Sequence, residues 1–385
     1  MRRKVNLILS YVLVAVVAVG VTLVCTLLAV RDNSRLRELE RVIDRFYIGD
    51  VDKKAREDAL ARAMVAALGD KWSYYMTAEE YLEYQEAMSN SYVGVGITVQ
   101  NSADKQGIEI VAVTAGGPAE AAGIQPEDRI VAIDGTSVVE MDVNSIAGLI
   151  KGEEGTFVEI GVQRAGESLN FRVVRQRFRT PVATLKMLDD GIALITIENF
   201  DNRCAQETIA AIEQARSQGA KALLFDVRNN PGGYKDEMVK VLDYLLPEGA
   251  LFRSRDYKGN SAVDYSDASC VDMPMAVIMN LNSYSAAEFF AAALQEYDAA
   301  ITVGEQTFGK GRFQSVIELS GGAAVNLSIG EYYTPSGKNL AGVGLAPEIE
   351  VIVDEETAAL IAYDRLEAAD DPQIQAAVNV LKQGF

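Results

Sequence analysis

The chain has 385 residues, 49% of them hydrophobic, and carries a formal net charge of −19 with no histidine. That length exceeds one ordinary hydrophobic core and predicts two or three domains, while the acidic balance argues against nucleic acid as a partner, since phosphate contacts need clustered Lys and Arg. The missing histidine excludes Ser-His-Asp, Cys-His and His-metal schemes together, so a general base must be Lys, Asp, Glu, Tyr or Cys.

Arg2, Arg3 and Lys4 precede an uncharged run over 5–30. The run is long enough for one membrane-crossing helix, which needs ~20 apolar residues, and longer than the ~7–15 residue core of a cleaved signal. The expectation is a retained anchor over 5–30, with 1–4 cytoplasmic and 31–385 outside. Cys25, Cys204 and Cys270 have neither metal-ligand nor redox-motif spacing. Cys204 and Cys270 are expected as free thiols rather than a disulfide.

Residues 31–90 read as a helical region. Leu60, Met64, Val65 and Leu68 recur at helical spacing before Gly69, and Thr77-Ala78-Glu79-Glu80 has the form of a capping box opening another helix. The pattern changes over 91–178. A strand-like run at 92–99 carries Gly94 and Gly96. A strand at 108–113, a short helix ended by Gly123, a strand and tight turn over 128–135, a helix near 142–150, and strands at 156–164 and 168–176 follow. The Gly-Pro-Ala, Ala-Gly-Ile, Asp-Arg-Ile and Asp-Gly series resembles a PDZ domain. The resemblance implies that a substrate C-terminus adds as a strand, its carboxylate held by the loop of Val93, Gly94, Val95, Gly96 and Ile97. On a bare structural reading, those glycines only permit a turn.

From 179 to 385, short β-rich runs at 192–197, 222–227, 275–281 and 300–303 alternate with helical stretches near 203–218, 234–246 and 285–297. That alternation predicts an α/β layer with a largely parallel sheet. Strand-like alternation returns at 313–319 and 323–333, and 371–383 reads as an amphipathic surface helix.

Three segments carry candidate chemistry. Asn229-Asn230-Pro231-Gly232-Gly233 follows a strand and is a turn on any reading; its backbone N–H groups would also suit an oxyanion. Ser285 stands where a strand gives way to an Ala-rich helix. With Glu288 it has capping-box spacing, yet a helix start would equally stabilise charge on a nucleophile's product. Gly304 to Gly311 nearly matches a phosphate-binding loop, but Gly311 stands where Ser or Thr should hold Mg²⁺, and the following residues alternate like a strand.

Together with the PDZ-like unit, these segments resemble the carboxyl-terminal processing peptidases, or tail-specific proteases, from about residue 40 onward. The resemblance implies a crotonase-like α/β catalytic domain with an inserted PDZ-like domain. It implies Ser285 as nucleophile, Lys310 as base, Gln314 as the residue orienting the lysine, and the N–H groups of Gly232 and Ala286 as oxyanion donors. It implies protein or peptide substrates with free C-termini, and no metal or organic cofactor. Ala287 stands where the family often has a second Ser. The combined expectation is a single-pass cell-membrane serine endopeptidase with its catalytic part extracytoplasmic. A homo-oligomer is left open, and the rival readings are a catalytically inactive PDZ scaffold and a nucleotide-binding protein using 304–311. Lys310 should act at neutral pH only if burial lowers its proton affinity from the usual ~10.4.

Overall fold

The computed structural model describes residues 14–21, 34–101, 108–362 and 365–383. They fall into two compact units, 1–67 and 68–385. In the first, 14–21 is helical (α1), followed by α2 (Ser34–Phe46) and α3 (Lys53–Ala66). Asp52 caps α3 by accepting the Ala55 N–H.

The anchor expected over 5–30 is corrected here. Among the described residues no helix is long and apolar enough to cross a membrane. Within that run only 14–21 is described, and those residues are helical. The expectations for 1–4, 5–13 and 22–30 lie outside the described residues. The single-pass topology, and the cell-membrane placement built on it, are therefore withdrawn.

The second unit opens with β1 (Tyr74–Met76) and α4 (Ala78–Met88). The capping box is present: Thr77 Oγ1 accepts the Glu80 N–H at 3.2 Å, and Glu80 accepts the Thr77 N–H at 2.8 Å. A two-stranded ribbon of β2 (Ser91–Gly94) and β9 (Gln176–Arg179) then brackets a six-stranded sheet. That sheet comprises β3 (Ile97–Asn101), β4 (Ile108–Val113), β5 (Arg129–Ile133), β6 (Thr136–Ser137), β7 (Phe157–Arg164) and β8 (Glu167–Val174). The helices α5 (Pro118–Ala122) and α6 (Val143–Ile150) belong to the same module, and its core includes Ile108, Ile110, Ile130, Ile146 and Ile160. The run read as one strand at 92–99 is two, because Gly96 takes φ 80 between them.

The larger sheet runs β10 (Ala183–Met187), β11 (Ile192–Ile197), β12 (Ala222–Asp226), β15 (Met275–Met279), β16 (Ala300–Gly304) and β19 (Ile349–Glu350). All neighbours are parallel except β10 with β11. Its inner strands are largely apolar on both faces, as a covered parallel sheet requires. Ile195, Leu223, Phe225 and Val277 face the core under α7 (Cys204–Ser217), α8 (Lys235–Leu245) and α9 (Ala286–Glu296). Leu194, Leu224, Ala276 and Ile278 face α11 (Pro372–Gln383), which buries Ile374, Ala377, Val378 and Leu381. A second sheet joins β1, β13 (Gly249–Asp256), β14 (Ser261–Ser266), β17 (Arg312–Glu318) and β18 (Ala324–Tyr333). A last short helix, α10, spans Glu355–Ala362. Cys204 is a buried free thiol and Cys270 an exposed one.

Candidate active site

Topology brings the three segments together. The strands β12, β15 and β16 are adjacent and parallel, so the loops leaving their carboxyl ends meet along one edge of the sheet. Those loops carry Gly232, Ser285 and Lys310. Hydrogen bonds stitch the first two: Tyr284 N–H donates to Asn230 O, and Asn280 Oδ1 accepts the Asn229 N–H.

Ser285 is the residue before α9, with φ 59 and ψ −126. An ordinary N-cap is extended, and a positive φ strains a residue carrying a Cβ. Such strain persists where the surroundings fix it. Here Glu288 Oε2 accepts the Ser285 N–H at 2.9 Å, and Gly232 closes on the other side. A Cβ on Gly232, whose φ is 89, would lie 2.7 Å from Ser285 Cβ and 3.0 Å from Ala286 N. Gly232→Ala is therefore expected to push this loop off the serine. A drop of about 100-fold in kcat/KM, with the folded protein still cooperative on thermal melting, is the predicted result. Ser283, by contrast, is fully buried and donates its hydroxyl to Val227 O at 2.7 Å.

Lys310 is held through its backbone. Glu288 Oε2 also accepts the Lys310 N–H at 2.9 Å, and Glu288 Oε1 accepts the Gly309 N–H and the Thr307 hydroxyl. Gly309 has φ 88 and packs so closely that a Cβ would sit 2.9 Å from Gly344 N. The Lys310 amine lies 4.4 Å from the centroid of the Trp72 ring and 6.0 Å from that of Tyr284. Burial lowers its pKa to about 8, against the opposing pull of Glu288 and Asp70. The segment is no phosphate cradle: Gly309 and Lys310 N–H are committed to a carboxylate, and strand β17 follows where a helix would be needed.

Ser285, Lys310 and Gln314 line one cleft of about 800 Å³. Aromatic rings, including Trp72, Tyr84, Tyr234, Tyr284 and Tyr332, form part of its walls. The partly buried Tyr332, its phenol pKa raised by burial, lines the same cleft as Ser285. Gln314 donates to Arg312 O and Ser328 Oγ, both at 3.1 Å. The Gly232 N–H donates to Asn230 Oδ1 at 2.8 Å. Of the expected tail-binding residues, Val93 and Gly94 pair with β9, while Val95, Gly96 and Ile97 lead into β3. That strand is an edge of its sheet, and α6 packs beside it.

Residues 191–351 match peptidase family S41, and 109–164 match a PDZ domain. Over 366 residues the chain is 32% identical to the carboxy-terminal processing protease CtpA of Bacillus subtilis, covering 91% of this chain and 78% of that protein. The chain belongs to the carboxyl-terminal processing peptidases. A carboxyl-terminal-processing protease of Synechocystis is 32% identical over 330 residues, covering 83% of this chain and 76% of its own. Among solved structures, a photosystem II D1 C-terminal processing protease is 25% identical with a TM-score of 0.50, covering 83% of this chain and 88% of that one. Carboxyl-terminal processing peptidases of family S41 are serine proteases, and this member has their mixed α/β fold with a PDZ domain.

Sequence reasoning missed two residues that the cleft depends on. Glu288 was visible only as half of a capping box, although it binds both functional loops. Trp72 is the sole tryptophan of the chain and lies in no motif.

Proposed function

We propose that this chain is a Ser-Lys endopeptidase, with Ser285 as nucleophile and Lys310 as general base, acting on polypeptides selected by their C-termini. The observation that carries the proposal is a serine and a half-buried lysine of lowered proton affinity lining one cleft. The neutral amine takes the Ser285 proton as Oγ attacks the scissile carbonyl. The same amine, now protonated, returns that proton to the leaving nitrogen, and water releases the acyl group by the reverse route. Gly232 and Ala286 supply N–H groups to the oxyanion. For Gly232 this requires exchanging Asn230 Oδ1 for the substrate oxygen. Gln314 limits the lysine's swing. Residues 91–178 act as the tail-binding module and 179–385 as the peptidase, served by 31–90. A C-terminal peptide adds along the free edge of β3, its carboxylate against Val95–Ile97.

Two measurements test this reading. An unstructured reporter ending in an apolar tail should be cleaved faster than the same reporter ending in Asp-Asp, and Ser285→Ala should cleave neither. Equal rates for both tails would remove tail selection, and turnover by Ser285→Ala would remove the nucleophile. Because only the neutral amine is a base, kcat/KM should climb about tenfold per pH unit below about 8 and level off above it. A flat profile from pH 6 to 9 would count against Lys310.

A further inference from the structure

The lysine base needs more than burial to be useful, because its amine sits on a long flexible stem. Among the described residues no carboxylate lies within ion-pair distance of its Nζ. What the amine does meet is the face of Trp72, at 4.4 Å from the ring centroid. We propose that Trp72 is a positioning residue for Lys310: its indole face seats the amine in the cleft and favours the protonated form. The proposal rests on Lys310 being the base.

Trp72 is built to hold a fixed pose. Its backbone N–H donates to Asp70 Oδ1 at 3.3 Å, and its carbonyl accepts from Asn326 Nδ2 at 3.0 Å, which ties its backbone to β18. Ser73 Oγ donates to Asp70 at 2.6 Å and accepts the Ser328 N–H at 3.0 Å, so the next residue is tied to the same strand. The ring itself meets Tyr284 at 6.2 Å and Phe308 edge-on at 5.6 Å, and those two rings meet each other at 5.6 Å. Tyr284 immediately precedes Ser285, and Phe308 lies two residues before Lys310. One indole, far away in sequence, therefore touches the loops of both nucleophile and base.

The charge effect has a definite sign. A ring face attracts an ammonium and does little for a neutral amine, so it opposes the lowering by burial. Glu288 and Asp70 pull the same way as the ring. Lys71 pushes the other way, its amine 4.9 Å from the Trp72 centroid and 4.5 Å from that of Phe308. Arg312 approaches Asp70 at 3.9 Å and partly neutralises it. The Tyr284 and Tyr332 phenols have pKa values raised by burial, above their usual 10, and stay uncharged at neutral pH.

Trp72→Leu keeps an apolar side chain but removes the ring. It should lower kcat roughly 10- to 100-fold and move the midpoint of the kcat/KM profile about one pH unit lower. Trp72→Phe, which keeps a weaker ring face, should fall between Leu and wild type on both readouts. Because Trp72 is the only tryptophan, its emission gives a second readout in wild-type protein. That emission should titrate with the midpoint of kcat/KM and lose this step in Lys310→Met. A slower Trp72→Leu enzyme with an unmoved midpoint would show a packing role only and overturn the proposal. An emission step that persists in Lys310→Met would overturn it as well. Turnover surviving in Lys310→Ala would remove the base assignment and this proposal with it. Lost turnover without any Lys310-dependent emission step would overturn the proposal alone.

Discussion

Lys310→Ala is expected to reduce kcat by about 10²–10⁴-fold while leaving the fold and tail binding intact. The size of the loss follows from the absence of any substitute base. The chain holds no histidine. The other titratable side chains on the cleft are tyrosines, and burial pushes Tyr84 up to about 12 and raises Tyr74, Tyr234 and Tyr284 as well. At pH 8 none of them exists as phenolate in useful amount. Stability should change little on truncation, because Lys310 is anchored through its backbone N–H and because burying an ammonium is unfavourable in itself. Lys310→Met should be as slow as Ala, since it fills the space but accepts no proton. Lys310→Arg should fail too, because a guanidinium stays protonated throughout the working range. The check is single-turnover cleavage of one tailed reporter by the three variants, with a binding titration of the same tail. A variant retaining a tenth of the wild-type rate would locate the base elsewhere.

The legible parts of this protein were those whose signal is local. Ala222–Asp226 and Met275–Met279 are buried along their whole length, and 222–225 and 275–279 read as continuous apolar runs, the mark of a parallel sheet covered on both faces. The turn of Asp134 and Gly135, the stop at Gly123 and the Thr77 capping box were likewise written in adjacent residues. The hairpin of β13 and β14 was not. Its strands mix Arg, Ser and Asp with apolar residues, and a four-residue turn near Gly259 carries no two-residue hairpin signature. Three-residue β1 gains its place only by pairing with β18, about 250 positions away. The site divides in the same manner. Ser285 alone reads as an N-cap and Gly304–Gly311 as a near phosphate-binding loop, so their proposed roles come from the resemblance of the combined segments to a peptidase family. Trp72 meets Tyr284, Phe308 and Lys310 across more than 200 residues, and no local pattern encodes those contacts. The anchor over 5–30 was inferred from composition alone, and no described helix supports it.

Glu288 provides the second large effect, because one carboxylate holds the loops of both Ser285 and Lys310, the proposed nucleophile and base. Its Oε2 accepts N–H groups from Ser285 and Lys310, each at 2.9 Å, and its Oε1 accepts the Gly309 N–H and the Thr307 hydroxyl. Glu288→Gln replaces one oxygen by an NH₂ group, which cannot accept. Placed toward Ser285 and Lys310, the NH₂ would oppose two N–H donors. Placed toward Thr307 it would oppose only the Gly309 N–H, because the hydroxyl can turn and accept instead, so this orientation should win. One orphaned buried donor and weaker bonds to a neutral oxygen together cost about 3 kcal/mol. Burial raises the Glu288 pKa, so an uncharged amide regains some of that desolvation cost. Breaking a buried charged network by one member still destabilises, since the remaining donors stay desolvated. Glu288→Ala, which orphans three N–H groups and leaves a void, should cost more, about 4–5 kcal/mol. The kinetic expectation separates this from loss of fold. Glu288 pulls the Lys310 pKa upward, so its neutral replacement should shift the acid limb of kcat/KM to lower pH. The change should appear in kcat with KM nearly constant, since the carboxylate contacts no substrate. Urea unfolding gives the stability loss and the pH profile gives the shift. An unchanged limb in a properly folded Glu288→Gln enzyme would show that the carboxylate only braces the loops.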